Sequence, residues 1–182
     1  MRIIPSIPYC TEIPDYFKLG ETQAEIQLSN IEENKNAALS LAEQARYRIN
    51  IFTHDLENSI YNNNEFENHI TNLVIRHPGS QIRIIVEDST KAIKNGHCLI
   101  RISQKLTSSI SIKNPGDAHK NNENSFMTVD GTGMLYRLRN KKNNYEASVN
   151  FMSPQRTNKL DIFFNEAWKQ GFPDRQVRRL FI

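Results

Sequence analysis

The sequence is poor in several features, and each shortage excludes a class of protein. It has two cysteines in 182 residues, Cys10 and Cys98, with neither the paired spacing of a zinc ribbon nor the density of a disulfide-stapled secreted domain. No apolar run approaches the roughly 20 residues that span a bilayer, so no membrane partner is expected. The first residues, Met1-Arg2-Ile3-Ile4-Pro5-Ser6-Ile7-Pro8, put prolines where a signal peptide needs an unbroken apolar stretch, and a cytoplasmic location is the expectation. The histidines show no His-x-His or Glu-x-x-His spacing, so no metal and no other cofactor is expected. Net charge is only +3, with an isoelectric point near 8.9, too weak by itself to require nucleic acid. With 38% hydrophobic and 24% charged residues, the remaining class is a globular chain long enough for one sizeable core.

Residues 1–20, with Pro5, Pro8 and Pro14, read as an irregular leader closed by Gly20, and residues 21–182 as one domain. Thr22-x-x-Glu25 and Ser29-x-x-Glu32 have the form of capping boxes, and Ala37, Ala38, Leu41, Ala42 and Ala45 give the stripe of a helix over 30–47. Residues 48–53 predict a strand, and Phe66, Ile70, Leu73 and Val74 a helix ended by His77-Pro78-Gly79. A second strand at 81–86, a helix over 88–106 capped by Asp88 or Ser89, and a third strand at 109–113 follow. Strands separated by helices of this length predict a parallel sheet with right-handed crossovers. After Pro115, residues 125–129, 133–139 and 145–151 predict antiparallel strands, turned at Asp130-Gly131 and by the polar run 140–144. Ser153-Pro154 opens a last helix with the stripe Leu160, Phe163, Phe164, Ala167 and Trp168, stopped by Gly171 and Pro173, and the end Leu180-Phe181-Ile182 reads as a docked terminus. The fold class is α/β, a mixed and mostly parallel sheet flanked by helices.

In open parallel sheets, ligands collect at the carboxyl ends of the strands. His54 and Asp55 follow the first predicted strand, Glu87 and Asp88 the second, and Asn114 the third. An imidazole beside a carboxylate can serve there as general base, metal ligand or phosphate contact; otherwise Asp55 caps a turn and His54 satisfies a buried backbone group. His97, four residues after Ile93 and three before Ile100, is either a core histidine bonded to another element or a second imidazole near His54. Ser148 and Asn150 alternate on one strand face, to share a pocket with Asp130 and Ser125 or to bond within the fold. Arg137, Arg139, Lys141 and Lys142 form the densest basic stretch, which reads as a phosphate-backbone contact or as a solvated hairpin. Cys98 reads as an inert buried thiol, and His69 and His77 as surface or cap residues.

The order of elements resembles one half of a phospholipase D-type unit. Active members of that family carry His-x-Lys-x-x-x-x-Asp-Gly on one strand and Gly-Ser-x-Asn on a later one. Phe126-Met127-Thr128-Val129-Asp130-Gly131 resembles the end of the first motif, and Ala147-Ser148-Val149-Asn150-Phe151 resembles the second. Counting back from Asp130, the His position falls on Glu123 and the Lys position on Ser125. The family's reaction needs an imidazole to attack phosphorus and a cation to hold the phosphoryl oxygens; Glu123 repels a phosphodiester and Ser125 brings no charge. The resemblance implies a single phospholipase D-like unit with a degenerate catalytic motif, a pseudoenzyme. Ile51-Phe52-Thr53-His54-Asp55-Leu56, Glu87-Asp88, Gly96-His97-Cys98-Leu99 and Asn165-Glu166-Ala167-Trp168 further resemble an uncharacterised bacterial domain found alone or after GNAT-type acetyltransferases. The expectation is a non-catalytic domain that binds a phosphorylated ligand or a protein partner through His54, Asp55, Asp88, His97, Asp130, Arg137, Ser148 and Asn150. One alternative is a divergent phosphodiesterase or hydrolase using His54 with Asp55 or Asp88, His97 or Arg137 holding the anion. Another is a nucleic-acid binder through Arg137–Lys142 and the Arg175–Arg179 tail. Because single-motif units of this family often pair, the resemblance also implies a homodimer.

Overall fold

A computed structural model describes residues 6–7, 13–138 and 145–178 of the chain. Residues 1–5 and 8–12 of the leader, Cys10 among them, Arg139, the polar run 140–144 with Lys141 and Lys142, Arg179 and the end Leu180-Phe181-Ile182 lie outside the described residues.

Apolar residues at every second position make the strands, and stripes at three- and four-residue spacing make the helices that cover them. The strands are β1 (Ser6–Ile7), β2 (Glu25–Leu28), β3 (Arg48–Thr53), β4 (Gln81–Val86), β5 (Ile110–Asn114), β6 (Asn124–Val129), β7 (Gly133–Leu138), β8 (Ala147–Asn150) and β9 (Phe172–Pro173). The helices are α1 (Ile31–Gln44), α2 (Asn58–Tyr61), α3 (Asn64–Arg76), α4 (Thr90–Lys94), α5 (Cys98–Lys105), α6 (Pro154–Gln170) and α7 (Arg175–Arg178). The described strands form one sheet in the order β1-β2-β8-β7-β6-β3-β4-β5-β9. β3, β4 and β5 are parallel, while β6, β7 and β8 run antiparallel beside β3.

Parity along the strands divides the core in two. Ile49, Ile51, Met127, Val129, Leu135 and Val149 pack with the stripes of α1, α3 and α5. The alternate residues Phe52, Ile85 and Phe126 face α6, where they meet Phe164 and Ala167 with Phe163 and Trp168 beside them. Phe52 and Phe126 stack with ring centroids 5.4 Å apart. A polar network also lies beneath α6: Asp161 accepts from Asn50 (2.8 Å) and Thr128 (2.6 Å), and Arg83 donates to Asn50 (3.0 Å) and Asn165 (2.9 Å).

Four local expectations are corrected. Thr22-x-x-Glu25 opens no helix; it leads into β2, whose Ile26 and Leu28 enter the core and whose backbone pairs with β8. The cap of α1 sits one residue later than Ser29-x-x-Glu32: Asn30 accepts from Glu33 N at 2.9 Å, and the Glu33 carboxylate returns to Ser29 N at 2.6 Å. The helix expected over 88–106 breaks into α4 and α5 at Gly96, which adopts φ +63°, and His97, which caps α5. The reason lies in another element, since Asn62 Oδ1 takes Cys98 N at 2.8 Å and starts a new helix there. Ser153 opens α6 without a side-chain cap bond, the start being set by Pro154. In the described part of the leader, Phe17 is buried against Phe151, with ring centroids 5.7 Å apart.

Candidate functional site

β3 and β4 are in register to their last residues, Thr53 and Val86, so the chain leaves both strands at one rim. His54 and Glu87 emerge there side by side, with His54 Nδ1 2.9 Å from Glu87 Oε2. The other oxygen of Glu87 accepts from Asn121 N at 2.8 Å, which fixes the carboxylate from two directions. With Nδ1 engaged by Glu87, Nε2 is the ring nitrogen left for a ligand, on a side chain that is 31% exposed.

β6 runs against β3, so its first residues reach the same rim. Phe52 pairs with Phe126, and one further step sets Thr53 beside Ser125. Ser125 in turn pairs with Arg137, and Arg137 with Ala147. Thr53, Ser125 and Arg137 therefore form one cross-strand row on the face covered by α1, because the neighbouring row of Phe52, Phe126 and Tyr136 faces α6. The Thr53 and Ser125 hydroxyl oxygens are buried and have no hydrogen-bond partner. Arg137 forms an ion pair with Glu57, the two side chains being 10% and 12% exposed, and its guanidinium lies 5.5 Å from the Tyr145 ring centroid. The basic stretch thus begins with an inward-turned arginine, and a solvated hairpin does not describe this residue.

Glu57 reaches Arg137 from an unusual backbone. Leu56 (φ +64°) and Glu57 (φ +36°) are consecutive left-handed residues, a conformation that costs an L-residue about 1–2 kcal/mol. Three contacts hold it. The Leu56 side chain is fully buried, Leu56 O is 3.1 Å from His97 Nε2, and Asp55 Oδ1 accepts from Glu57 N at 3.2 Å. His97 Nδ1 accepts from Leu99 N at 3.2 Å, which leaves Nε2 as the protonated nitrogen that donates to Leu56 O. Burial pushes this imidazole down to about 4, so it is neutral at physiological pH. His97 therefore shapes the turn that carries Glu57, and both of its ring nitrogens are engaged with the backbone.

Of the remaining candidates, Asp88 stays at this rim, its N–H donating to His54 O at 2.8 Å, while Asp130 and Asn150 lie at the other end of the sheet and Ser148 on the other face. Asp88 Oδ1 accepts from Thr90 N at 2.9 Å, and its hydrogen bonding to Thr90 holds the carboxyl below the usual carboxylate range. Asp130 lies at the opposite end of β3, where its carboxylate accepts from Arg46, Tyr47 and Arg48 N, each at 2.8 Å. Ser148 shares the row of Tyr136 and Phe126, on the α6 face, so parity separates it from Ser125. Asn150 has the same parity and lies at the Asp130 end, where it accepts from Met152 N at 2.9 Å and donates to Gln23 O at 3.3 Å. The pocket expected for Ser125, Asp130, Ser148 and Asn150 is therefore not formed. A groove of about 1290 Å³, lined by Lys18, Arg46, Tyr47, His69, Arg76 and Asp130 among others, opens at that far end, away from His54. Among the described residues no cluster of three His, Cys, Asp or Glu side chains could hold a metal ion, and no helix is long and apolar enough to cross a membrane.

Sequence reasoning missed Glu57, Thr53 and Asn121. Thr53 was findable, because it shares the parity of Ile49 and Ile51 and ends the strand that His54 follows. Nothing local marks a glutamate as left-handed, and no spacing connects it with an arginine eighty positions later.

A family model described as Domain of unknown function (DUF7931) matches residues 30–180. No curated protein matches. Among solved structures, the phospholipase D family member Nuc from Salmonella typhimurium aligns with TM-score 0.53 and 16% identity, over 76% of this chain and 88% of that one. NucT from Helicobacter pylori aligns with TM-score 0.58 and 13% identity, over 82% and 98%. TrmBL2, an archaeal chromatin protein with a novel mode of DNA binding, aligns with TM-score 0.61 and 15% identity over 82% of this chain. The match covers 54% of TrmBL2, so this chain spans about half its length. At such identities the likeness carries the fold alone, and the fold is phospholipase D-like.

Proposed function

The chain belongs to the family described as Domain of unknown function (DUF7931), and on that footing we propose that the rim of Thr53, His54, Ser125 and Arg137 binds a phosphorylated ligand without turning it over. One arrangement carries this reading: two buried hydroxyls without partners stand in the same cross-strand row as a buried guanidinium. A buried polar atom left unpaired costs about 1–3 kcal/mol, which an oxyanion accepting from both hydroxyls would remove. A guanidinium offers a planar fork that matches two phosphate oxygens at once. The absence of turnover rests on Glu123 and Ser125. A carboxylate stands where the family's motif has its nucleophile, and the motif's cation position is neutral.

Isothermal titration with inorganic phosphate tests the binding. Saturable binding is expected for the wild type, with loss in Arg137→Met and weakening in Ser125→Ala; a wild type that takes up no phosphate refutes the reading.

The His54–Glu87 pair favours a second reading, a divergent hydrolase. Glu87 would orient the ring and Nε2 would act as base or nucleophile, with Asp55 and Asp88 engaged in turns instead. Hydrolysis of bis(p-nitrophenyl) phosphate by the wild type and its loss in His54→Ala would select this reading, and an inert wild type would reject it.

A further inference from the structure

The Arg137 guanidinium already has an anion, and that anion comes from the chain itself. Glu57 is a carboxylate delivered by two consecutive left-handed residues, in a turn that His97 and Asp55 brace. Such a backbone persists where the surroundings over-determine it, and it concentrates at ligand clamps and switches. The Thr53 and Ser125 hydroxyls in the same row are closed off from solvent. A ligand therefore reaches this row only in competition with Glu57.

We infer that Glu57 sets the class of ligand, admitting a terminal phosphate (a phosphomonoester) and excluding a phosphodiester. The inference rests on the phosphate-binding reading above. A phosphomonoester carries about −1.5 to −2 charges at neutral pH on three oxygens, enough to displace a single carboxylate from Arg137 and to occupy both hydroxyls. A phosphodiester carries one negative charge on two free oxygens. It offers Arg137 no more charge than Glu57 does, and its two free oxygens must serve the guanidinium fork and both hydroxyls at once. The site would then take a different substrate class from the diesters that the fold's catalytic motif serves. Glu123, exposed at the start of β6, adds a negative charge that water largely screens.

NMR titration of the whole chain with methyl phosphate and dimethyl phosphate at pH 7.5 tests this. The wild type is expected to bind the monoester at least about tenfold tighter. Glu57→Gln, which keeps the shape and removes the charge, should narrow that ratio severalfold by raising affinity for the diester. Glu57→Asn is the second variant, because asparagine tolerates the left-handed region and so protects the turn if glutamine does not. An unchanged ratio in whichever variant folds, or a wild type that binds both esters alike, overturns the role of Glu57 and leaves the binding reading standing. Failure of every protein to bind either ester overturns both.

Discussion

Replacing Asp130 separates the role its sequence motif suggests from the role its contacts show. The Asp130 carboxylate closes the bottom of the sheet by accepting from the amides of Arg46, Tyr47 and Arg48, each at 2.8 Å, just where the chain enters β3. Hydrogen bonds to charged groups contribute about 1.5–3 kcal/mol each, but this end is partly open to water, so about 1 kcal/mol per freed amide is the fitting figure. Asp130 also sits at φ +51°, which alanine adopts at a further cost of about 1 kcal/mol. Asp130→Ala should therefore lose about 4 kcal/mol, which for a chain of this size lowers Tm by roughly 8–16 °C. Asp130→Asn keeps the left-handed preference and the acceptor for Tyr47 and Arg48, and should lose about 1–2 kcal/mol. Calorimetric melts measure both, and phosphate titration of the same variants below their melting range should match the wild type. An Asp130→Ala protein that melts with the wild type but no longer takes up phosphate would refute the capping account and return Asp130 to the ligand site.

His97 gives stability a pH dependence of definite sign. The imidazole titrates near 6.5 in the unfolded chain and at about 4 in the fold, so between those values the unfolded chain holds more protons; stability is complete above about 6.5 and falls toward pH 4 by on the order of 3 kcal/mol. Urea melts from pH 7.5 to 4.5 should show this slope in the wild type and lose it in His97→Asn, which keeps a capping acceptor; equal slopes would show that His97 is not the titrating group. For nucleic acid, Arg137 is turned inward and paired with Glu57, which on the inference above excludes phosphodiesters, so a single-stranded oligonucleotide should bind with a shallow salt dependence. Anisotropy titrations giving a log–log slope steeper than about −3 would restore that reading.

The strands and helices that build the core were legible because burial and periodicity coincide in them. β3, β4 and α6 each bury a face whose spacing is visible in a dozen residues. β2 escaped because Glu25-Ile26-Gln27-Leu28 is short and follows a capping-box pattern, and its pairing with β8 and β1 makes it a strand. The break between α4 and α5 depends on Asn62, which belongs to another element. The rim positions of His54 and Glu87 followed from strand ends alone. The Glu57–Arg137 pair did not, because Leu56 and Glu57 adopt a backbone that their own preferences oppose, and tertiary contacts impose it.

Strand register links the core to the site and constrains which residues can act together. Met127, Val129 and Leu135 must face α1, so Ser125 and Arg137 face it too, and a one-residue slip would expose that whole row. Ser125 and Arg137 stand directly opposite, which puts their Cβ atoms about 5 Å apart. A lysine in place of Ser125, the residue type the catalytic motif would put there, would meet Arg137 with like charge; the charged ends reach well beyond the Cβ atoms, and at a charge separation of about 5–10 Å and an effective dielectric of about 20 the repulsion is about 2–3 kcal/mol. Neutral Ser125 opposite cationic Arg137 keeps a single cation at this pair of positions, with Glu57 placed to meet it. Ser125→Lys alone should destabilise the domain by about that amount, and Arg137→Ser alone should destabilise it by leaving Glu57 buried without its partner. The double variant should recover much of both losses, since the introduced lysine can then take the Glu57 carboxylate. A denaturation cycle measures the coupling, and losses that add to within about 0.5 kcal/mol would show that the two positions do not share a cation.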